Sequence, residues 1–186
     1  MSTTIPALPN RIEHFAYEFD FLSNFFHCTI PFEGVAYASV EHAYQAAKFP
    51  ASQREPFSLE FNPRLTAAQA KKLGRTMKGM RPDWDEIKWG IMKDLVLCKF
   101  TSYPELALKL VSTEGAYLEE GNWWHDTYWG VCKGKLEGHI CKHGIHPPEG
   151  KNHLGHLLMA TRLNIWPKWK TSFPSVSGDF TTPPVL

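Results

Sequence analysis

The sequence predicts a mainly α-helical, single-domain protein with a small β-hairpin near its N-terminus. Two observations favour this fold class: apolar residues recur at helical spacing between capping residues, and the extended pieces before residue 40 are short. The chain has 186 residues, 43% of them hydrophobic and 21% charged, as in globular proteins. We place the domain at 14–170, after a loose lead over 1–13 and before a disordered Ser-, Thr- and Pro-rich tail over 171–186.

The N-terminal part is predicted to be extended. Aromatic residues alternate with other residues over 15–21, which indicates a short strand. The segment 29–39 has a turn signal at Glu33 and Gly34 between two short extended pieces, so it predicts a hairpin.

Two helices follow, each with a plausible N-cap. Ser39 caps a helix over 39–49, whose sequence is SVEHAYQAAKF. Thr66 caps a second helix that continues to about Leu73, where Gly74 is expected to stop it.

The C-terminal half is predicted to hold three more helices around a long irregular stretch. The longest covers about 83–100, and a shorter one begins at Pro104. The segments 119–130 and 130–150 show no helical period and are expected to be loops, after which Asn152 caps the last helix. The expected core positions of the longest helix are Trp84, Ile87, Ile91, Leu95 and Cys98.

The helix over 39–49 carries the first candidate site. Glu41, Tyr44, Gln45 and Lys48 share one face of it. Asp126 lies among aromatic residues, where a low dielectric raises a carboxyl pKa and lowers a lysine pKa. Such groups can serve as acids, bases or nucleophiles. The alternative is an ordinary solvated charge pair on an amphipathic helix.

A second candidate is an anion site at the start of the last helix. The segment 151–155 includes Asn152 and Gly155, and backbone N–H groups at a helix start can face a phosphate. Arg75 and Arg81 could add positive charge. The alternative is that Gly155 only allows close packing.

The loop over 130–150 also contains zinc-type donors. However, it has no C-x₂-C pair, and none of the four cysteines lies in a recognisable catalytic signature. We therefore expect no metal and no other cofactor, and we keep a zinc-stabilised interaction module over 132–146 as an alternative. The donors are the alternating His139, Cys141 and His143, with Cys132 and His146 nearby.

Charge and composition exclude several classes of protein. A net charge of +1 gives no general reason to bind polyanions. The chain shows no paired cysteine spacing, no N-terminal apolar segment and no apolar run of membrane length, so we expect a cytoplasmic protein without a membrane partner. The aromatic content of 13% offers surfaces for stacking on a base.

Several short motifs occur in a fixed order from about 15 to 163. The most specific is E-H-x-Y-Q-A-x-K-F, within G-x-x-Y-x-S-x-E-H-x-Y-Q-A-x-K-F. In this order the motifs resemble the YbiA-like, or NADAR, domain family. The full series is FDFLSNF (19–25), the long motif (34–49), LGR (73–75), W-x-x-x-K (84–88), KF (99–100), YWG (128–130) and KNHLG-x-LLM-x-x-R (151–162).

The resemblance implies a mostly helical fold and N-glycosidase activity on a bond between ribose and an exocyclic nitrogen. One branch acts on a ribosylamino-pyrimidinone phosphate of the riboflavin pathway, and another removes ADP-ribose from modified guanine. Glu41, Trp84 and Asp126 fall on family active-site positions, and Lys48 falls on the family lysine. Between residues 130 and 151 this chain departs from the compact bacterial members, because its link is longer and rich in histidine.

Together these observations suggest a mechanism in which Lys48 attacks C1′ while Glu41 and Asp126 shuttle protons. A route that uses only the carboxylates remains open. We favour ADP-ribosylated guanine, free or in nucleic acid, over the riboflavin intermediate, and a non-catalytic reader of ADP-ribose or NAD derivatives is the alternative of another class. The predicted substrate-binding residues are Asn24, Tyr44, Gln45, Arg75, Arg81, Trp84, Trp129, Gly130, Asn152 and Gly155.

Overall fold

The computed structural model describes residues 9–172, with side chains up to Trp166. Helices dominate its regular structure and every strand is short, so the mainly α class is confirmed. No described helix is long and apolar enough to cross a membrane. The predicted tail lies outside the described residues, except for 171–172 at the end of the last helix. The helices are α1 Val40–Ala47, α2 Ala67–Thr76, α3 Trp84–Ser102, α4 Pro104–Ser112 and α5 His153–Ser172.

Backbone contacts divide the described chain into two compact units. One unit is Phe21–Pro104, and the other combines the described residues before and after it. The first unit contains the strands β2 (Ile30–Phe32) and β3 (Val35–Tyr37) and the helices α1 to α3. The remaining strands belong to the second unit: β1 Arg11–Ile12, β4 Tyr117–Leu118, β5 Gly121–Asn122, β6 Val131–Cys132, β7 Lys135–Leu136 and β8 His139–Ile140.

The predicted hairpin is present in the first unit. β2 and β3 pair antiparallel, with Ile30 opposite Tyr37. Glu33 and Gly34 form its turn with φ values of 47° and 79°, as a two-residue hairpin turn requires. The hairpin leads directly into α1.

Helix α1 begins as predicted and is buried along its whole length. The Ser39 side chain accepts the His42 backbone N–H at 3.4 Å and contacts the His42 ring at 2.8 Å. The other ring nitrogen of His42 lies 2.8 Å from the Leu65 carbonyl. α1 packs against both α2 and α3, so its side chains are held by the core of this unit.

The strand predicted over 15–21 is wrong. The chain forms a 3₁₀ helix over Tyr17–Leu22 instead, with Phe21 and Leu22 buried and Tyr17 exposed. A short aromatic run fits either structure by its spacing. The tight turns bring the chain to Ser23 and Asn24, where it meets α1.

Gly74 does not stop α2, which continues to Thr76. The start at Thr66 is confirmed by a capping box with Gln69. A Cβ atom at Gly74 would lie 2.1 Å from the Gln45 side-chain oxygen. The glycine therefore allows α2 to approach α1 closely.

The buried face of α3 is rotated from the predicted one. Trp84 and Leu95 are buried as expected, but Ile87, Ile91 and Cys98 are only half-buried. The buried row follows positions four residues apart, one of the two ridges that run along a helix surface. Its members beyond Trp84 are Met92, Val96 and Phe100, flanked by Leu95 and Lys99.

The second unit contains short strand pairs that the sequence did not predict. Arg11 in the supposedly loose lead pairs in parallel with Tyr117, and the Glu119 N–H donates to the Ile12 carbonyl at 2.8 Å. β5 pairs in parallel with β6, and β7 pairs with β8 around a turn at Glu137 and Gly138. Strands of two residues are too short to show an alternating pattern in the sequence.

Asn152 was predicted to cap α5, but its side chain instead joins the start of that helix to β4 and the residues that follow it. Its Oδ1 atom accepts the Glu120 N–H at 3.0 Å, and its Nδ2 atom donates to the Leu118 carbonyl at 2.8 Å. Gly155 lies beside this anchor, where a Cβ atom would come within 2.1 Å of the Leu118 oxygen.

Two glycine-to-alanine changes in helices should therefore have opposite effects. Gly155→Ala should lower the free energy of unfolding by about 1–3 kcal/mol, because the Leu118 backbone oxygen blocks the new methyl group. Gly90→Ala in α3 meets nothing within 4 Å and should raise it by about 0.5–1 kcal/mol. Urea unfolding of the two variants tests this, and equal stability would contradict the packing described for Gly155.

Candidate active site

Glu41 and Gln45 form a buried polar pair on α1. The Gln45 Nε2 atom donates to Glu41 Oε1 at 2.8 Å, and the two residues are 3% and 5% exposed. The backbone N–H of Glu41 donates to the Asn24 carbonyl at 3.0 Å. The carboxylate is thus fixed near the N-terminus of α1, where the helix dipole favours a negative charge.

Lys48 lies at the C-terminal end of α1 beside two aromatic rings. Its Nζ atom is 5.8 Å from the Tyr44 ring centroid and 5.9 Å from that of Trp84. The two rings pack with centroids 5.0 Å apart. Together they form an apolar wall that shields one side of the amine from water.

Burial is the main cause that lowers the pKa of Lys48 below that of an ordinary lysine. The Glu41 carboxylate raises this pKa, and nearby cations lower it. The net shift is downward, so a larger share of the amine is uncharged near neutral pH than for an exposed lysine. The cations are Arg75, Lys71 and Lys88.

These cations form a positive edge next to Lys48. Arg75 is exposed in the last turn of α2, and Lys71 lies one helical turn earlier. The Lys88 amine contacts the exposed Asp85 at 2.6 Å. An edge of this charge suits a phosphate-bearing ligand.

Arg81 lies just after the end of α2 and pairs with a neighbouring carboxylate. Its guanidinium pairs with the Asp83 carboxylate at 2.7 and 2.9 Å. Its backbone N–H donates to the Lys48 carbonyl at 2.8 Å. Arg81 therefore fixes the end of α1 through its main chain, and its charge is shared with Asp83.

Asn24 and the buried Lys99 make hydrogen bonds next to the start of α1. Asn24 donates from its side chain to the Met92 sulfur at 3.3 Å. Lys99 is 1% exposed and donates to the Ser23 carbonyl at 2.9 Å. Lys99 was not predicted to have a role, although its spacing from Leu95 places it on the apolar face of α3.

In the second unit, Asp126 is held in a tight polar turn. Its Oδ1 atom accepts the backbone N–H groups of Tyr128 and Trp129 at 3.3 and 2.9 Å. The fully buried Asn122 side chain exchanges two hydrogen bonds with the Asp126 main chain, at 2.9 and 3.0 Å. Asn122 was not predicted. The turn gives Asp126 and the following tryptophan a fixed orientation.

At the start of α5, the site of the predicted anion binding, two backbone amides have carbonyl partners within the protein. The N–H groups of His153 and Leu154 donate to the carbonyls of Tyr128 and Trp129 at 3.4 and 2.9 Å. These amides are therefore used in holding the aromatic loop. Gly155 allows close packing, in line with the alternative interpretation.

Gly130 and Trp129 belong to the same loop. A Cβ atom at Gly130 would lie 2.2 Å from the Glu120 carbonyl oxygen, so only glycine fits. The Trp129 ring packs edge-on against Tyr128, with centroids 4.9 Å apart. Trp129 thus remains a stacking candidate.

The predicted site residues fall into two groups, one in each unit. The first gathers around α1, and the second around the loop before α5. That Asp126 acts together with Glu41 and Lys48 stays a prediction. The first group is Asn24, Glu41, Tyr44, Gln45, Lys48, Arg75, Arg81 and Trp84, and the second is Asp126, Trp129, Gly130, Asn152 and Gly155.

Comparison with known proteins supports the resemblance. Residues 13–166 match the NADAR domain family. The N-glycosidase Npun_R5314 of Nostoc punctiforme is 33% identical over 144 residues, which are 77% of this chain and 83% of that protein. The solution structure of Escherichia coli YbiA covers 87% of this chain and 89% of its own, with a TM-score of 0.65 and 29% identity.

A plant relative is much longer. The chloroplastic riboflavin biosynthesis protein PYRR of Zea mays is 37% identical over 135 residues, which are 68% of this chain but 19% of that protein. The chain thus spans about a fifth of this relative. The relatives' names confirm the expectation of a family that contains N-glycosidases.

The environment of Lys48 predicts how its amine titrates. Its amine should titrate at a lower pH than that of an ordinary lysine, and Glu41→Gln should lower the midpoint further by removing the carboxylate that raises it. NMR of ¹³C-labelled lysine side chains, with Lys48→Arg used for assignment, measures both midpoints. A wild-type midpoint at or above the ordinary value would contradict the description of the site.

Proposed function

Because the chain belongs to the NADAR domain family, we propose that it hydrolyses the bond between ribose C1′ and an exocyclic amino nitrogen of a base. We propose further that the base is guanine carrying ADP-ribose. One observation carries this proposal: the half-buried Lys48 amine, with its lowered pKa, lies against an aromatic pair on the helix that also holds a buried carboxylate.

A glycosylamine can open its ribose ring to an imine at C1′. The uncharged Lys48 amine then adds to C1′, and the base leaves with its own amino group after gaining a proton. Water hydrolyses the resulting lysine imine, which returns the amine and releases the sugar. The sum is one water consumed, with the free amino base and, for the proposed substrate, free ADP-ribose as products.

Glu41 suits the proton transfers of this route. It is buried, and Gln45 holds one of its oxygens in place. Such a carboxylate can take the proton from the attacking amine and give it to the leaving nitrogen. Asp126 is proposed as a second acid–base group, because it matches the family position, and the carboxylate-only route would use both residues.

Aromatic and basic groups account for the proposed substrate class. Trp84 or Trp129 would stack on the base, and Tyr44 would line the sugar. Arg75, Lys71 and the other cations around Lys48 suit two phosphate groups better than one, which favours the pyrophosphate of ADP-ribose.

The second candidate substrate is the ribosylamino-pyrimidinone phosphate of riboflavin biosynthesis. The name of the maize relative favours it. It has the same glycosylamine bond, so Lys48 and Glu41 would serve in the same way. A reader domain that binds ADP-ribose or NAD derivatives without turnover would need the aromatic and basic groups but not the Lys48 amine or the Glu41 carboxylate.

Product release from the two substrates separates these functions. ADP-ribosyl-guanosine should be cleaved with at least about tenfold higher kcat/KM than the pyrimidinone phosphate, measured by chromatography of the released base. The opposite preference would identify the riboflavin reaction. Binding of ADP-ribosyl-guanosine without turnover of either compound would favour the reader and overturn the proposal.

Variants test the assigned residues in the same assay. Lys48→Ala should lower kcat by about a thousandfold or more, and Glu41→Gln by about a hundredfold or more, because each removes a group from the bond-breaking step. Lys78→Ala, which changes an exposed lysine, is the matched control and should stay within about twofold. Full activity of Lys48→Ala would exclude the lysine route.

A further inference from the structure

Four cysteine and histidine side chains converge in the second unit, outside the α1 site. They are His125, Cys132, Cys141 and His146, and their donor atoms all lie within 4.8 Å of one another. Both cysteines are buried, at 0% and 3% exposure. This set differs from the alternating trio considered from the sequence, because it includes His125, and His139 instead stacks on Trp123 at 4.6 Å.

The distances between the donor atoms match a tetrahedral zinc site. Zn–S bonds of about 2.3 Å and Zn–N bonds of about 2.0 Å place neighbouring sulfur and nitrogen ligands roughly 3.5 Å apart. Cys132 Sγ lies 3.5 Å from His146 Nε2, and Cys141 Sγ lies 3.8 Å from His125 Nδ1. Two cysteines and two histidines form one of the usual sets of structural zinc ligands.

The groups around the ligands are those that support a metal site. His146 Nδ1 lies 2.8 Å from the Pro147 carbonyl, so a proton on Nδ1 leaves Nε2 free to bind. The His143 backbone N–H points at Cys141 Sγ at 3.5 Å, which suits a thiolate. Glu149 lies 3.6 Å from both His125 and His146 and adds negative charge nearby.

The backbone brings the ligands together from separate short elements. Cys132 ends β6 and exchanges hydrogen bonds with Glu149 at 2.8 and 3.0 Å. Cys141 follows β8, and its N–H donates to the Gly134 carbonyl at 2.7 Å. A Cβ atom at Gly134 would lie 2.4 Å from the His146 carbonyl oxygen, so glycine allows these segments to meet.

Residues 135–145 bury little apolar surface. Ile140 and Ile145 are exposed at 53% and 73%, and the strands β7 and β8 have two residues each. A hairpin of this size is marginally stable in water without a further constraint. Small segments without a sufficient apolar core are commonly fixed by disulfides or by a metal, and the two cysteines are not joined in a disulfide.

We propose that His125, Cys132, Cys141 and His146 bind one structural Zn²⁺ ion. Binding replaces the two thiol protons, which are released, so two thiolates and two neutral imidazoles leave the site with no net charge. Four protein ligands close the coordination shell, so the ion has a structural role and not a catalytic one. His125 directly precedes Asp126, and the ion would therefore fix the loop that carries that carboxylate.

Metal analysis of the purified, untagged full chain tests the proposal without any substrate. Protein prepared under reducing conditions with added Zn²⁺ and then dialysed should retain about one zinc per chain. The double variant Cys132→Ser, Cys141→Ser should lose it, whereas Cys98→Ser, the matched control, should keep it. With a chelator, the melting temperature of wild type and Cys98→Ser should fall, and that of the double variant should not change.

Cobalt provides a second readout if the double variant fails to fold. Wild-type protein loaded with Co²⁺ should show thiolate-to-metal charge transfer and the strong visible bands of tetrahedral cobalt, and His146→Ala should weaken or lose them. Three results would overturn the proposal: no zinc retained by reduced wild type, zinc retained by the double variant, or cobalt spectra without thiolate bands. None of them bears on the N-glycosidase activity.

Discussion

The chemistry proposed for this protein depends on the partial burial of one amine. Lys48 lies against the Tyr44 and Trp84 rings, and the loss of water there lowers its pKa more than the Glu41 carboxylate raises it. An exposed lysine would stay protonated and inert as a nucleophile, whereas a fully buried pair of charges would be costly. Lys48 lies between these limits, because partial burial favours its uncharged amine and still leaves part of the side chain exposed.

The fold of the first unit serves this balance. α1 is buried throughout, so the carboxylate and the amine on it are positioned by the core and not by solvent. Gly74 lets α2 approach closely enough to confine Gln45, which in turn holds Glu41. Lys99 donates to the Ser23 carbonyl, and the neighbouring Asn24 carbonyl accepts the Glu41 N–H in the first turn of α1. Each contact restricts the motion of a group that the proposed chemistry requires.

The sequence predicted the elements with strong local signals and missed those that depend on distant partners. The hairpin turn and the caps at Ser39 and Thr66 follow from local backbone requirements, and the shared face of α1 follows from helical spacing. The paired strands of the second unit and the role of Asn152 depend on contacts far apart in the chain. Cys132, Cys141 and His146 were named from the sequence as possible zinc donors, but His125 was missed because it joins them only through the fold.

In the proposed route Lys48 becomes bonded to the sugar carbon, and reductive trapping tests this bond directly. Wild-type protein would be mixed with ADP-ribosyl-guanosine and sodium borohydride, digested, and examined by mass spectrometry. We expect a stable adduct of the ADP-ribosyl group on the peptide that contains Lys48, and none with Lys48→Arg. Turnover of the substrate without any trapped adduct would contradict the lysine route and leave hydrolysis to the carboxylates alone.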